Sequence, residues 1–195
     1  MHTDLESASI HRYSSLPIRD RNRIAVIGPS GAGKSTLARR LGQILGIEVI
    51  HLDKVHWRPG WVEPPDEEFV ADLQELLASR SRWIIDGNYG SKQPITLAEA
   101  EVVIWLDFPR YLCLWRIIRR VLEYSGMPRP DLPAGCPEQP DWEFTRWVWT
   151  FPRQQRPKII QRLSRLRPDQ RLIILKGPNE VEALLQELSM QGAFA

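Results

Sequence analysis

The 195-residue chain carries 26 Lys and Arg against 24 Asp and Glu, a formal net charge of +2, so overall charge argues for neither a nucleic-acid nor a membrane partner. Its two cysteines, Cys113 and Cys136, make no disulfide framework and no paired metal motif, and no apolar run reaches the roughly 18 residues of a membrane span. Reduced thiols in a cytoplasmic protein are expected.

Residues 1–22 are polar, lack an apolar signal-peptide core and are expected to form a flexible tail ahead of one domain over 23–195. Strand-like and helix-like runs then alternate. The pattern predicts a strand over 23–27, a helix over 34–45 closed by Gly46, and a strand over 48–52. An amphipathic helix over 66–79 follows, with Phe69, Leu73, Leu76 and Leu77 on one face. Next come a strand over 83–86, a short helix over 95–99, a strand over 102–106 and a long helix ending near Tyr124. Residues 125–140, rich in Pro and Gly and without period, read as a lid. Residues 141–166 read as helix broken at Pro152 and restarted near Pro157, before a strand over 172–175 and a helix over 180–188. Such alternation predicts an α/β fold, a parallel sheet covered on both faces.

The most informative stretch is Gly28-Pro29-Ser30-Gly31-Ala32-Gly33-Lys34-Ser35-Thr36, which fits the phosphate-binding P-loop pattern G-x-x-x-x-G-K-[ST]. The apolar run Ile24–Ile27 enters it as a buried strand would, and a helical pattern leaves it. Glycines let consecutive N–H groups turn toward a polyphosphate, and the positive end of the following helix strengthens the field. The pattern assigns Lys34 to the β- and γ-phosphates of ATP and the Ser35 hydroxyl to Mg²⁺.

Further chemistry sits at the ends of the later strands. Asp53 is placed to take a proton from an acceptor hydroxyl, or else caps a turn. On a strand His51 would share its face, orienting substrate or ending the strand as a satisfied polar residue. Asp86, before Gly87, reads as a second Mg²⁺ carboxylate, with Asp107 as its competitor. Between Arg110 and Arg171 there are 13 Lys and Arg against six Asp and Glu. Arg116 and Arg120 share a helix face, Arg129 lies in the lid, and Arg153 and Arg156 follow it; the set either binds phosphoryl groups or is a solvated basic face. Trp57, Trp61, Trp142, Trp147 and Trp149 either stack on a ligand or close a small core under the lid.

Together these residues resemble the P-loop kinases of the adenylate-kinase type, and most of all the group named DNA topology modulation (FlaR-type) proteins. The resemblance runs over residues 23–188 and rests on the P-loop, His51-Leu52-Asp53-Lys54 with Trp57 and Trp61, and Asp86-Gly87-Asn88-Tyr89-Gly90. It also rests on Arg129-Pro130-Asp131, Gly135-Cys136-Pro137-Glu138, and Trp147-Val148-Trp149 running into Phe151-Pro152-Arg153 and Arg156-Pro157. It implies a three-layer sandwich with a five-stranded parallel sheet in the order 2-3-1-4-5 and a small lid. It puts Arg116 near adenine, Arg120 facing phosphates, and residues 176–179 near the adenine-contacting loop. The chain departs from adenylate kinases at Asp53 and at Asn88-Tyr89-Gly90, which argues against AMP as acceptor.

The resulting expectation is an ATP- and Mg²⁺-dependent kinase of a small hydroxyl- or phosphate-bearing metabolite, monomeric or homodimeric. Lys34, Asp53, Arg120, Arg153 and Arg156 would act in catalysis, and Ser35 and Asp86 would hold the metal. The alternative is a nucleotide-dependent regulator that touches nucleic acid through the basic 110–171 region.

Overall fold

In the computed structural model the described residues are 18–88, 90–124, 135–136 and 141–193. Strand β1 (Arg23–Ile27) is the centre of a five-stranded parallel sheet in the order β2-β3-β1-β4-β5. Its neighbours are β3 (Trp83–Asp86) and β4 (Val102–Leu106), while β2 (Val49–His51) and β5 (Arg171–Leu175) form the edges. Eight α-helices among the described residues accompany the strands: α1 (Lys34–Leu45), α2 (Leu52–His56), α3 (Asp66–Ala78), α4 (Gln93–Glu99), α5 (Arg110–Tyr124), α6 (Trp142–Gln154), α7 (Arg156–Leu163) and α8 (Pro178–Ala193).

Side-chain alternation on the strands makes the layers. Ile24 and Val26 enter one core with Leu37 and Leu41 of α1, Ile117 of α5 and Leu184 of α8. Ala25 and Ile27 enter the other with Phe69 and Leu73 of α3, Phe151 of α6 and Ile159 of α7. The central strands are apolar throughout because both faces are covered; every residue of β4 is buried. The expected fold class and strand order are therefore those observed. Parallel pairing puts the carboxyl ends of β1, β2, β3 and β4 along one edge, and that edge carries the chemistry.

Several boundaries differ from the expectation. Residues 18–22 are not loose: Ile18 is buried in the α1 core, and the Arg19 guanidinium donates to the Leu188 carbonyl at 2.6 and 3.1 Å. Strand β2 stops at His51, and Leu52 and Asp53 begin a helix, so Asp53 does not share a strand face with His51. Pro152 lies inside α6; buried Val148 and Phe151 hold the helix across it, and the break comes at Gln155. Pro157 sits in the first turn of α7, where a missing N–H costs nothing. Helix α4 starts two residues early, and α8 extends past 188 to Ala193. The expected tail through residue 17, Tyr89, Arg129 and the lid apart from Gly135 and Cys136 lie outside the described residues.

Candidate active site

The loop between β1 and α1 is shaped by positions that only glycine fits. Gly31 has φ +80°, and a Cβ there would stand 2.3 Å from the Cys113 carbonyl oxygen of α5. Gly28 has φ +146° and runs against Leu106, whose carbonyl oxygen would lie 2.6 Å from a Cβ. Gly33 caps α1 in the left-handed conformation and supplies no side-chain cap. The first-turn N–H groups of α1 are thus left to a ligand, the arrangement that binds anions at a helix start.

This loop floors a cleft of about 820 Å³. Ser30, Gly31, Ala32, Gly33, Lys34, Ser35 and Thr36 line it, whereas Gly28 and Pro29 do not. The Lys34 ammonium donates to the Pro29 carbonyl at 3.3 Å. Burial holds this lysine below its ordinary pKa and Arg120 adds to that, while the carboxylates of Asp53 and Asp86 pull the other way. Asp53, Asp86 and Arg120 therefore all act on Lys34, and all four residues line the cleft.

Asp86 ends β3 and is only 4% exposed. His51, its register partner on β2, places Nδ1 2.6 Å from Asp86 Oδ1. The next residue, Gly87, has φ +154°, and a Cβ there would meet the Leu52 side chain at 2.7 Å. Asp107 does not line the cleft, and its carboxylate accepts Arg156 at both oxygens, at 2.8 to 3.2 Å.

The arginines separate. The Arg116 guanidinium donates to the Ala32 carbonyl at 2.9 Å and lies near the Phe108 ring, so it braces the P-loop from α5. Arg120 is half-buried at the cleft. Arg119, on the exposed side, pairs with Glu123 at 3.1 Å and covers Trp115. Arg153 and Arg156 are not brought to the phosphate loop: Arg153 is exposed and Arg156 is held by Asp107, and neither lines the cleft. Arg153 lies in the last turn of α6 and Arg156 opens α7, on either side of the break at Gln155.

Of the five loop and helix tryptophans, only Trp57 and Trp61 line the cleft, edge to face with centroids 5.3 Å apart. Trp147 packs into both cores, Trp149 lies under Arg110, and Trp142 is exposed. The Trp61 indole is carried by a tight turn in which Arg58 and Val62 exchange backbone hydrogen bonds of 3.0 and 3.3 Å. The turn is tied down by the Gly60 N–H donating to the Gly135 carbonyl at 2.9 Å, and by Cys136 Sγ against the Arg58 carbonyl at 3.2 Å. Phe108, Leu112, Pro178 and Val181 complete the other wall of the cleft. Phe108 and Leu112 carried no sequence signal, since apolar residues beside a helix start read as core. Pro178 falls in the stretch that the resemblance had placed near adenine.

Among the described residues no group of three or more His, Cys, Asp or Glu is placed to hold a metal alone, and no helix is long and apolar enough to cross a membrane.

No protein-family model matches the chain. A shikimate kinase from Actinobacillus pleuropneumoniae is 53% identical over 64 residues, which are 32% of this chain and 35% of that protein. One from Histophilus somni is 38% identical over 64 residues, 32% of this chain and 34% of that protein. The chain thus spans about a third of the length of these curated relatives. Among solved structures, a shikimate kinase from Acinetobacter baumannii in complex with shikimate superimposes with a TM-score of 0.58 at 17% identity, over 91% of this chain and 96% of that one. A gluconokinase from Sinorhizobium meliloti gives 0.50 at 17% identity, over 89% and 93%. The sheet order, the glycine-shaped loop and these superpositions together give the chain the fold of the P-loop kinases.

Proposed function

We propose that the chain is an ATP-dependent small-molecule kinase. The observation that carries this reading is the convergence of Lys34, Asp53, Asp86 and Arg120 on the floor of the P-loop cleft. The likeness to shikimate kinases supports it. The loop amides and Lys34 bind the ATP phosphates. Lys34 and Arg120 offset charge on the transferring phosphoryl group. An acceptor hydroxyl oxygen forms the new bond to the γ-phosphorus, the bond to the β,γ-bridging oxygen breaks, and ADP leaves with that electron pair. The hydroxyl proton goes to the Asp53 carboxylate.

The residues present fit Mg²⁺. The ion takes few protein oxygens and keeps waters and phosphate oxygens as its other ligands. Ser35 and Asp86 line the same cleft and supply such a set. Bound there, the ion would neutralise charge on the β- and γ-phosphates. The finer grouping with the DNA topology modulation (FlaR-type) proteins is our proposal on the motifs that resemble it. The nucleic-acid alternative gains no support from the basic 110–171 region. Arg119, Arg156 and Arg167 pair with Glu123, Asp107 and Asp169, and Arg162 bonds Gln93.

The test is ADP release with Mg²⁺, ATP and a panel of hydroxyl acceptors, beside the Lys34→Ala protein. Acceptor-dependent ADP formation that Lys34→Ala abolishes while remaining folded is the expected result. Equal turnover by both proteins overturns the assignment.

A further inference from the structure

The cationic side chains lining the cleft, among the described residues, stand on two helices. Lys34, Arg39 and Arg40 lie on α1, and Arg116, Arg119 and Arg120 on α5. The wall made by α2, the turn after it and the end of β3 presents Asp53, Trp57, Trp61, Asp86 and Gly87, and among the described residues it adds no Lys or Arg to the lining. The basic residues of these segments are engaged elsewhere. Arg58 pairs with Glu68, Lys92 pairs with Asp66, and Lys54 is exposed outside the cleft. Among the described residues, an anionic acceptor against this wall would therefore lose its water beside the Asp53 carboxylate and find no Lys or Arg of the wall itself, while Lys34 and Arg120 serve the ATP phosphates and the transferring group in the kinase reading.

The same wall is built to hold a ring. Trp61 has φ +62°, a conformation that costs energy for a bulky side chain and persists where the surroundings impose it. The backbone hydrogen bonds between Arg58 and Val62, and the docking of Gly135 and Cys136 on the turn, impose it here. Both indoles are half-buried in the cleft before any ligand arrives, so little ordering is left for binding to accomplish. A flat indole suits the C–H face of a sugar ring or the face of a base, and neither needs a charge.

Resting on the kinase reading above, we propose that the acceptor is an uncharged, hydroxyl-bearing ring compound of the sugar or nucleoside class, held by Trp57 and Trp61, and that carboxylate and phosphate acceptors are rejected by Asp53, the carboxylate of this wall that the metal does not take. Pairs of ring compounds with and without an anionic group test it: glucose against glucuronate, adenosine against AMP, and methyl shikimate against shikimate. Transfer from ATP is measured for each, and binding of a non-hydrolysable ATP analogue with Mg²⁺ is measured separately by calorimetry. The expected result is transfer to an uncharged member with kcat/KM at least about tenfold above its anionic partner. Trp61→Ala should raise KM for that acceptor about 10- to 100-fold with the affinity for the ATP analogue unchanged, and Trp61→Phe should recover most of it. Analogue binding with an anionic member preferred, or with no transfer to any uncharged member, overturns this proposal alone. Failure of the analogue to bind overturns the kinase reading itself.

Discussion

His51 Nδ1 lies 2.6 Å from Asp86 Oδ1, across the register of β2 and β3 at the sheet edge where the P-loop ends. A carboxylate only accepts, so Nδ1 carries the proton and the imidazole is the donor. The pair fixes one oxygen of a carboxylate that is nearly buried. Groups that orient a metal-side carboxylate typically matter by about 10- to 100-fold in metal affinity. His51→Ala should shift the Mg²⁺ dependence of turnover by that factor, and His51→Asn, whose amide can donate from nearly the same place, should restore most of it. Identical Mg²⁺ titrations for wild type and His51→Ala would remove Asp86 from the metal side of the site.

Asp53→Asn keeps the shape of the side chain and removes the base. Transfer to the acceptor should fall by about 10² to 10⁴. The affinity for an ATP analogue should stay within about twofold, since the kinase reading puts Asp53 on the acceptor side of the cleft. Parallel losses in nucleotide affinity and in turnover would make Asp53 part of the nucleotide site.

Arg120 and Arg119 are consecutive on α5 and differ in surroundings. Both line the cleft, but Arg120 is half-buried and acts on Lys34, whereas Arg119 is exposed and engaged by Glu123 and Trp115. Arg120→Ala should lower kcat by about 10³ or more with a small change in ATP affinity, because charge on the transferring group develops in the transition state. Arg119→Ala should be close to wild type. Steady-state kinetics on the two proteins decides, and the reverse order of effects would refute the assignment of Arg120.

Gly31→Ala and Gly46→Ala probe the same backbone region in different space. Both glycines have positive φ, but a Cβ at Gly46 meets nothing within 4 Å, while one at Gly31 would press on the Cys113 backbone. Gly46→Ala should cost only the backbone strain, about 1 kcal/mol. Gly31→Ala adds a clash with backbone that cannot swing aside, and should cost about 2–4 kcal/mol, lowering Tm by about 5–15 °C. It should also abolish nucleotide binding. Equal melting points for the two variants would mean the loop sits away from α5.

Cys113 makes stability fall with alkaline pH. Burial pushes its thiol up to about 11 from 9.0, with Lys34 and Arg116 pulling against that. Below pH 9 the thiol is protonated in both states and its contribution is fully present; above it the unfolded chain sheds the proton first, and stability is lost as pH rises toward 11. The loss approaches about 1 kcal/mol per pH unit in that window. Cys113→Ala lacks the effect, while Lys34, whose lowered pKa works in the opposite sense, is common to both proteins. Denaturant melts of wild type and Cys113→Ala at about pH 8 and about pH 10.5 should therefore converge with rising pH. A constant gap would show that the thiol titrates normally.

The chain carries its fold class locally. The run Ile24–Ile27 into a glycine-rich loop, the repeat of Leu37 and Leu41, and fully apolar strands are patterns of period and backbone freedom, and the parallel sheet follows from them. The phosphate loop is legible for the same reason, since Gly28, Gly31 and Gly33 are required by conformation at fixed spacing. The placement of long side chains is decided by tertiary contacts. Arg120 and Arg156 are indistinguishable as residues in a basic run, yet one meets Lys34 at the cleft and the other meets Asp107, because the break at Gln155 resets the register of α7. The bond between His51 and Asp86 needs two strands 35 residues apart to pair in one register, and the place of Trp61 in the cleft wall needs Gly135 to reach the turn that carries it. Local sequence sets periods and turns. Only the packed sheet decides which ends of which elements meet, because those contacts join residues far apart in the chain.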